Sequence, residues 1–316
     1  MDWKTCAALF PGQGSQIVGM GADFAREYAI ARDTFGQADE ILGFELSRIC
    51  FNGPRGQLDQ TNVTQPALYV CAIAIWRALR QLLPSAQPAW MAGHSLGEFS
   101  ALTAAGALSF DEGLRLVHAR GRFMQGAGEV IPGAMAAILA LDIAQVVSLC
   151  AEVSADTDET VVLANDNCPG QAVVSGHINA VDSLIERATA AGARRAVKLA
   201  VSVAAHSPLM ASASESFQEV AQSTNFTPPK VPVVGNVLAQ ALETVAEIRT
   251  ELDQQLTQSV RWTESMQTLI DEGADTFIEI GSGNVLTGLT RRIDRSKRRV
   301  SLNTVEALNA FLESLA

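Results

Sequence analysis

The 316-residue chain predicts an α/β protein: a large, mainly parallel sheet interrupted near residues 129–202 by a smaller ferredoxin-like unit. Three observations predict it. At both ends of the chain, short apolar runs alternate with helix-length segments, the rhythm of parallel strands with helices packed over them. The middle instead reads strand, helix, strand, strand, helix, strand, the order of a compact split-βαβ unit. Between the second apolar run and an alanine-rich helix stands G-x-S-x-G, Gly93 to Gly97, which a sharp strand-to-helix corner requires.

The elements follow in order. Residues 5–10 form a strand ending in the glycine loop PGQGSQ, Pro11–Gln16. Two helical segments come next, then a helix over Pro66–Leu83. It opens on the longest apolar run, PALYVCAIAIW, well short of the ~20 residues that a membrane span needs. Ala89–Ala92 is a strand, and Gly97–Leu108 a helix of small and apolar residues. Ser109 with Glu112 three residues on is a capping box that starts another helix. In the middle, Ala134–Leu141 reads as strand, Ile143–Val153 as helix and Val161–Ala164 as strand. The turn NCPG, the strand Gln171–Ser175, the helix Ala180–Ala191 and the strand Arg195–Val201 complete that unit. Val231–Val237, Thr276–Gly281 and Arg299–Asn303 are the last strands, and a cleft between the two units is the natural binding site.

Composition narrows the function. The N-terminus MDWKTCAALF has an acid at its second residue and no cationic start, so a cytoplasmic protein without a secretory leader is expected. Five scattered cysteines without C-x-x-C read as small buried hydrophobes in a reducing compartment. The four histidines lie far apart and none shares zinc-like spacing with other ligands, so no metal is expected. A net charge of −11 argues against nucleic acid. The charge is uneven: RRIDRSKRR holds Arg291, Arg292, Arg295, Lys297, Arg298 and Arg299 against one acid, a local +5 that leaves −16 elsewhere. It reads either as a solvated helix end or as a landing site for an anionic partner.

A serine needs a base before it attacks anything. His94 adjoins Ser95, but successive residues on a sharp turn point different ways. His206, where the chain re-enters the large unit, is the better base. An oxyanion would be held by the N–H after the nucleophile, Leu96, and by Gln13, which glycines flank in the first loop. The same loop fails as a dinucleotide motif, because the third glycine of G-x-G-x-x-G is replaced by Ile17. At 100° per residue, Arg120 falls inside the apolar arc of its helix, between Leu116 and Met124, whereas Arg115 and Arg122 fall outside it. A guanidinium facing a core costs several kcal/mol unless an anion meets it. That anion is either an internal carboxylate or the carboxylate of a substrate.

With GQGSQ, TQPAL, GHSLGE, ARGRFMQ, NDNCPGQ, AAHS, VRWTES and GSGNVLTGL in one order, the chain resembles the malonyl-CoA:acyl carrier protein transacylases from Leu9 to about residue 305. The resemblance implies an α/β-hydrolase-like catalytic domain, 1–128 and 203–316, with an inserted ferredoxin-like domain, 129–202. It implies Ser95 as nucleophile, His206 as base, Arg120 as carboxylate anchor, and the amides of Gln13 and Leu96 as oxyanion hole. A backbone carbonyl in place of the usual acid orients the histidine, and it falls on Arg261. Gln65 is implied to line the site, while Asn165 and Asn167 stabilise the turn and cleft. Two positions depart from the pattern: Ala205 stands ahead of the histidine, and GSG (Gly281–Gly283) replaces GPG. Leu96 fits malonyl selection. The implied partners are malonyl-CoA and acyl carrier protein, with the basic stretch as dock for the carrier or for CoA phosphates. No cofactor, no membrane and no nucleic acid are implied, and a monomer is expected. Service to a polyketide synthase or a malonate decarboxylase is the alternative within the class, and a serine thioesterase the alternative outside it.

Overall fold

The computed structural model describes residues 1–201 and 203–315. Ser202, the expected last residue of the small unit, and Ala316 lie outside the described residues. The strands are β1 (Cys6–Phe10), β2 (Trp90–Gly93), β3 (Gly133–Leu139), β4 (Val161–Cys168), β5 (Gln171–His177), β6 (Arg195–Lys198), β7 (Val233–Val234), β8 (Ala241–Leu242), β9 (Val260–Arg261), β10 (Thr276–Ile280) and β11 (Arg298–Leu302).

The large sheet runs β11-β10-β1-β2-β7-β8, parallel except for the final β7–β8 pair. Every residue of β1 and β10 is buried, as expected for strands covered on both faces. The helix Thr61–Leu82 is buried nearly all round and starts five residues earlier than the sequence suggests. Pro66 lies in its second turn, where it deprives only the Asn62 carbonyl of an N–H partner. The helix after the serine corner ends at Ala104, four residues early. Gly106 at φ 79° closes it, with the Ala107 amide donating to the Leu102 carbonyl at 2.8 Å. The Phe110–Val130 helix has the expected capping box between Ser109 and Glu112.

The small sheet runs β6-β3-β5-β4, antiparallel throughout, with the helices Ile143–Thr157 and Ile178–Ala190 on one face. Period-two alternation divides its strands: Ala134, Ala136 and Ile138 enter a core with those helices, while Met135 and Val173 face the large unit. The sheet is also longer than residues 129–202 supply, because β9 adds a fifth, parallel strand to the edge of β4. The two units are thus stitched through Asn165–Val260 and Asp166–Arg261 pairing, a link that no local pattern announces.

Candidate active site

Ser95 sits on the corner between β2 and the Gly97–Ala104 helix at φ 51°, a left-handed conformation that costs a non-glycine residue of order 1–3 kcal/mol. Glycines on either side make the corner sterically possible. A Cβ on Gly93 would lie 2.0 Å from the Gly97 carbonyl, and one on Gly97 would lie 2.0 Å from the Phe10 carbonyl oxygen. Asn236, where the chain leaves β7, clamps the turn: its Oδ1 accepts from the Ser95 amide at 2.6 Å and its Nδ2 donates to the Gly93 carbonyl at 2.7 Å. This departure is why β7 spans Val233–Val234 and not Val231–Val237.

Ser95 Oγ lies 2.8 Å from His206 Nε2, across a sequence separation of 111 residues. His206 Nδ1 lies 2.8 Å from the Gln255 carbonyl and 3.2 Å from the Gln258 carbonyl. Carbonyls only accept, so Nδ1 carries the proton and Nε2 is left to receive the one from Ser95. The orienting carbonyl is therefore Gln255, and Arg261 does not hold that position. The Arg261 carbonyl accepts from Ser265 Oγ at 3.0 Å, and its side chain pairs with Glu264. The reason is local. Gln255 follows the Val245–Gln254 helix, whose last carbonyls have no partner within the helix and lie at its negative end.

Arg120 is 1% exposed, and all three of its side-chain partners are neutral. Nε donates to Gln255 Oε1 at 3.1 Å, Nη1 to Gln65 Oε1 at 2.8 Å, and Nη2 to Ser95 Oγ at 3.2 Å. Gln65 stands behind the guanidinium and does not line the cavity: its Oε1 holds Arg120 and its Nε2 lies 3.1 Å from Met124 Sδ. A cavity of about 350 Å³ opens over Ser95, Arg120 and His206, with Gln13 and Leu96 on its wall. Neither the Gln13 nor the Leu96 amide donates to another of the described residues, so both are free to meet a developing oxyanion. Met135, Val173 and Val203 supply an apolar wall, and Val285 and Leu289 supply the other lip.

His94 lies on the same cavity wall but is turned to Asn167 and not to Ser95 Oγ, as its neighbouring position on the turn requires. Its Nε2 lies 2.8 Å from Asn167 Oδ1 and its ring stacks edge-on against Trp262. Asn165 and Asn167 are buried on the cavity wall in β4. The basic stretch is not one uniform patch. Arg292 reaches across to Gln171 Oε1 at 2.6 Å and to the Gly170 carbonyl, bracing the two units. Arg299 is turned onto the Asp294 and Arg295 carbonyls, and Lys297 lies 3.5 Å from Asp275. Arg291, Arg295 and Arg298 remain exposed.

Burial and then the Arg120 charge hold the His206 imidazole down at about 3, well below its ordinary 6.5. A depressed value means that the free base persists as pH falls through 6.5, and that protonating it below that costs folding stability. Any step in which His206 takes the Ser95 proton accordingly shows no inflection near 6.5. A single-turnover pH profile with a histidine limb there would contradict this placement.

Sequence reasoning missed Gln255 and Asn236. Asn236 lies at the carboxyl end of a parallel strand, where ligand crevices of such sheets form, and that rule could have found it. Nothing in the local pattern around Gln255 marks it.

Residues 8–306 match the family model described as acyl transferase domain. The chain is 42% identical to the malonyl CoA-acyl carrier protein transacylase of Haemophilus influenzae over 99% of both proteins. It is 43% identical to that of Escherichia coli K12 over 97% of this chain and 98% of the relative. Among solved structures, the malonyl-CoA:acyl carrier protein transacylase of Xanthomonas oryzae superposes with a TM-score of 0.95 at 42% identity, covering 99% of each chain. A malonyl-transacylase solved in complex with a type II polyketide acyl-carrier protein gives 0.94 at 40% identity, covering 98% of this chain and 100% of that one.

Proposed function

This chain belongs to the acyl transferase family, among the malonyl-CoA:acyl carrier protein transacylases, and from that premise we propose the role of each residue in its cavity. The enzyme moves malonyl groups from malonyl-CoA to acyl carrier protein. The observation that carries the residue roles is Arg120 at 3.2 Å from Ser95 Oγ, buried and held only by neutral acceptors. In a malonyl thioester the carboxylate and the thioester carbonyl are one methylene apart, about 2.5 Å between carbons. An anchor for the first must therefore stand beside the nucleophile that attacks the second.

With the malonyl carboxylate on Arg120, His206 Nε2 takes the Ser95 proton and Oγ attacks the thioester carbon. The Gln13 and Leu96 amides hold the oxyanion, each donor contributing about 3 kcal/mol. The C–S bond breaks, the His206 proton passes to the CoA sulfur, and a malonyl-serine ester remains. The phosphopantetheine thiol of the carrier repeats the cycle in reverse order, giving ping-pong transfer. All charge that develops is met by these groups, so the chemistry calls for no metal or organic cofactor, and one chain carries the whole constellation as a monomer. Fatty-acid synthesis is the pathway we assign. The relative bound to a polyketide carrier makes polyketide synthesis the second reading, separated by comparing KM for the two carriers. Neither malonate decarboxylase service nor a thioesterase is favoured, since a general hydrolase has no use for a buried guanidinium beside its nucleophile.

Intact-mass measurement after incubation with malonyl-CoA tests the reading, and a malonyl increment is expected. Equal loading from acetyl-CoA would sink it. The exposed Arg291, Arg295 and Arg298 are our dock for the acidic carrier. Reversing Arg291 and Arg295 to glutamate raises KM for carrier protein several-fold, more than KM for malonyl-CoA, and flattens its salt dependence. Kinetics that keep the original salt slope would remove the dock.

A further inference from the structure

Glu98 carries a fully buried carboxyl group that the transfer chemistry leaves unused. It stands in the first turn of the Gly97–Ala104 helix, the positive end, three residues from the nucleophile. Its Oε2 accepts from Gln255 Nε2 at 2.9 Å, and its Oε1 has no hydrogen-bond partner among the described residues. Burial and the neighbouring Glu251 push the Glu98 carboxyl above the usual range, while the Gln255 amide and the Arg120 charge pull it back.

The side chain of Gln255 joins these groups. Nε2 donates to Glu98 Oε2 and to the Ser95 carbonyl at 3.2 Å, and Oε1 accepts from Arg120 Nε at 3.1 Å. A carboxamide has one donor end and one acceptor end. Turned over, its NH₂ would face the Arg120 N–H, and its oxygen would face two other oxygens. We propose that Glu98 is a positioning residue for the substrate-carboxylate site, acting on Arg120 through the side-chain amide of Gln255.

The indirect arrangement has a physical purpose. A carboxylate touching Arg120 would occupy the N–H fork that a substrate carboxylate needs. Set one amide away, the Glu98 carboxyl fixes which end of Gln255 meets Arg120 and leaves the fork open. The inference rests on Arg120 as the partner of the malonyl carboxylate.

The test measures single-turnover loading from malonyl-CoA and from acetyl-CoA, alongside Tm. Glu98→Gln is expected to lower the malonyl-over-acetyl preference about tenfold through a higher KM for malonyl-CoA, with acetyl loading falling far less. Gln255→Leu, which keeps the main-chain carbonyl on His206, is expected to lower it as much. The double variant is expected to be no worse than the poorer single variant, since coupled residues are not additive. Glu98→Asp, which keeps the carboxyl group, restores part of the preference and also serves if Glu98→Gln does not fold. Equal losses for both thioesters with a lower Tm would make Glu98 a packing residue and overturn the proposal. An unaltered preference in both Glu98 variants, beside a loss in Gln255→Leu, overturns it too. Should Arg120→Met keep the malonyl preference, the anchor reading itself fails and this proposal with it.

Discussion

Ser95→Ala abolishes the malonyl adduct and lowers transfer by on the order of 10⁴- to 10⁶-fold, the loss expected when one member of a nucleophile–base pair is removed. The 2.8 Å Ser95–His206 contact makes the two a unit. His206→Ala therefore falls into the same range, and the double variant is no worse than either alone. Intact-mass and single-turnover measurements on the three variants check this. A full malonyl increment on Ser95→Ala would mean that another nucleophile carries the acyl group. The five cysteines are poor substitutes: all are buried, and burial raises the thiol of Cys71 to about 12.

Arg120→Met lowers malonyl loading on the order of 10³-fold, the equivalent of two lost hydrogen bonds to a charged group, while acetyl loading falls far less. The preference for malonyl thereby collapses. The same variant shifts the pH profile. Arg120 is, after burial, the largest cause holding the His206 imidazole down, so removing the guanidinium moves the acid limb of acetyl loading toward higher pH. The sign follows from charge: a neighbouring cation opposes an imidazolium, and its loss favours one. Measuring loading from both thioesters across pH separates the anchor from the electrostatic effect. A malonyl preference that survives in Arg120→Met would refute the anchor.

How much was legible beforehand varies by residue. Ser95 announces itself, because glycines at 93 and 97 are forced by backbone contacts that any strand-to-helix corner of this kind makes. Arg120 is legible from helical periodicity alone as a cation on an apolar face, although periodicity cannot say whether its partner is internal or a substrate. The structure answers with neutral partners. Gln65 was legible as a site residue through the resemblance, but its place behind the guanidinium was not. The assignment to Arg261 failed because a main-chain carbonyl belongs to every residue, so sequence has no letter for it. Only the path of the chain after the Val245–Gln254 helix selects Gln255.

By itself the sequence determined the alternation of strands and helices, the inserted unit, the nucleophile's corner and the buried cation. Each is written in the spacing of side chains along one stretch, where local sterics and periodicity act. Tertiary structure alone decided which carbonyl steadies His206, that Asn236 clamps the turn, that Arg292 braces the two units instead of waiting for a partner, and that β9 crosses to the small sheet. Those contacts join residues tens to well over a hundred positions apart. Their partners are mostly main-chain amides and carbonyls common to the whole chain, so only closure of the fold chooses among them.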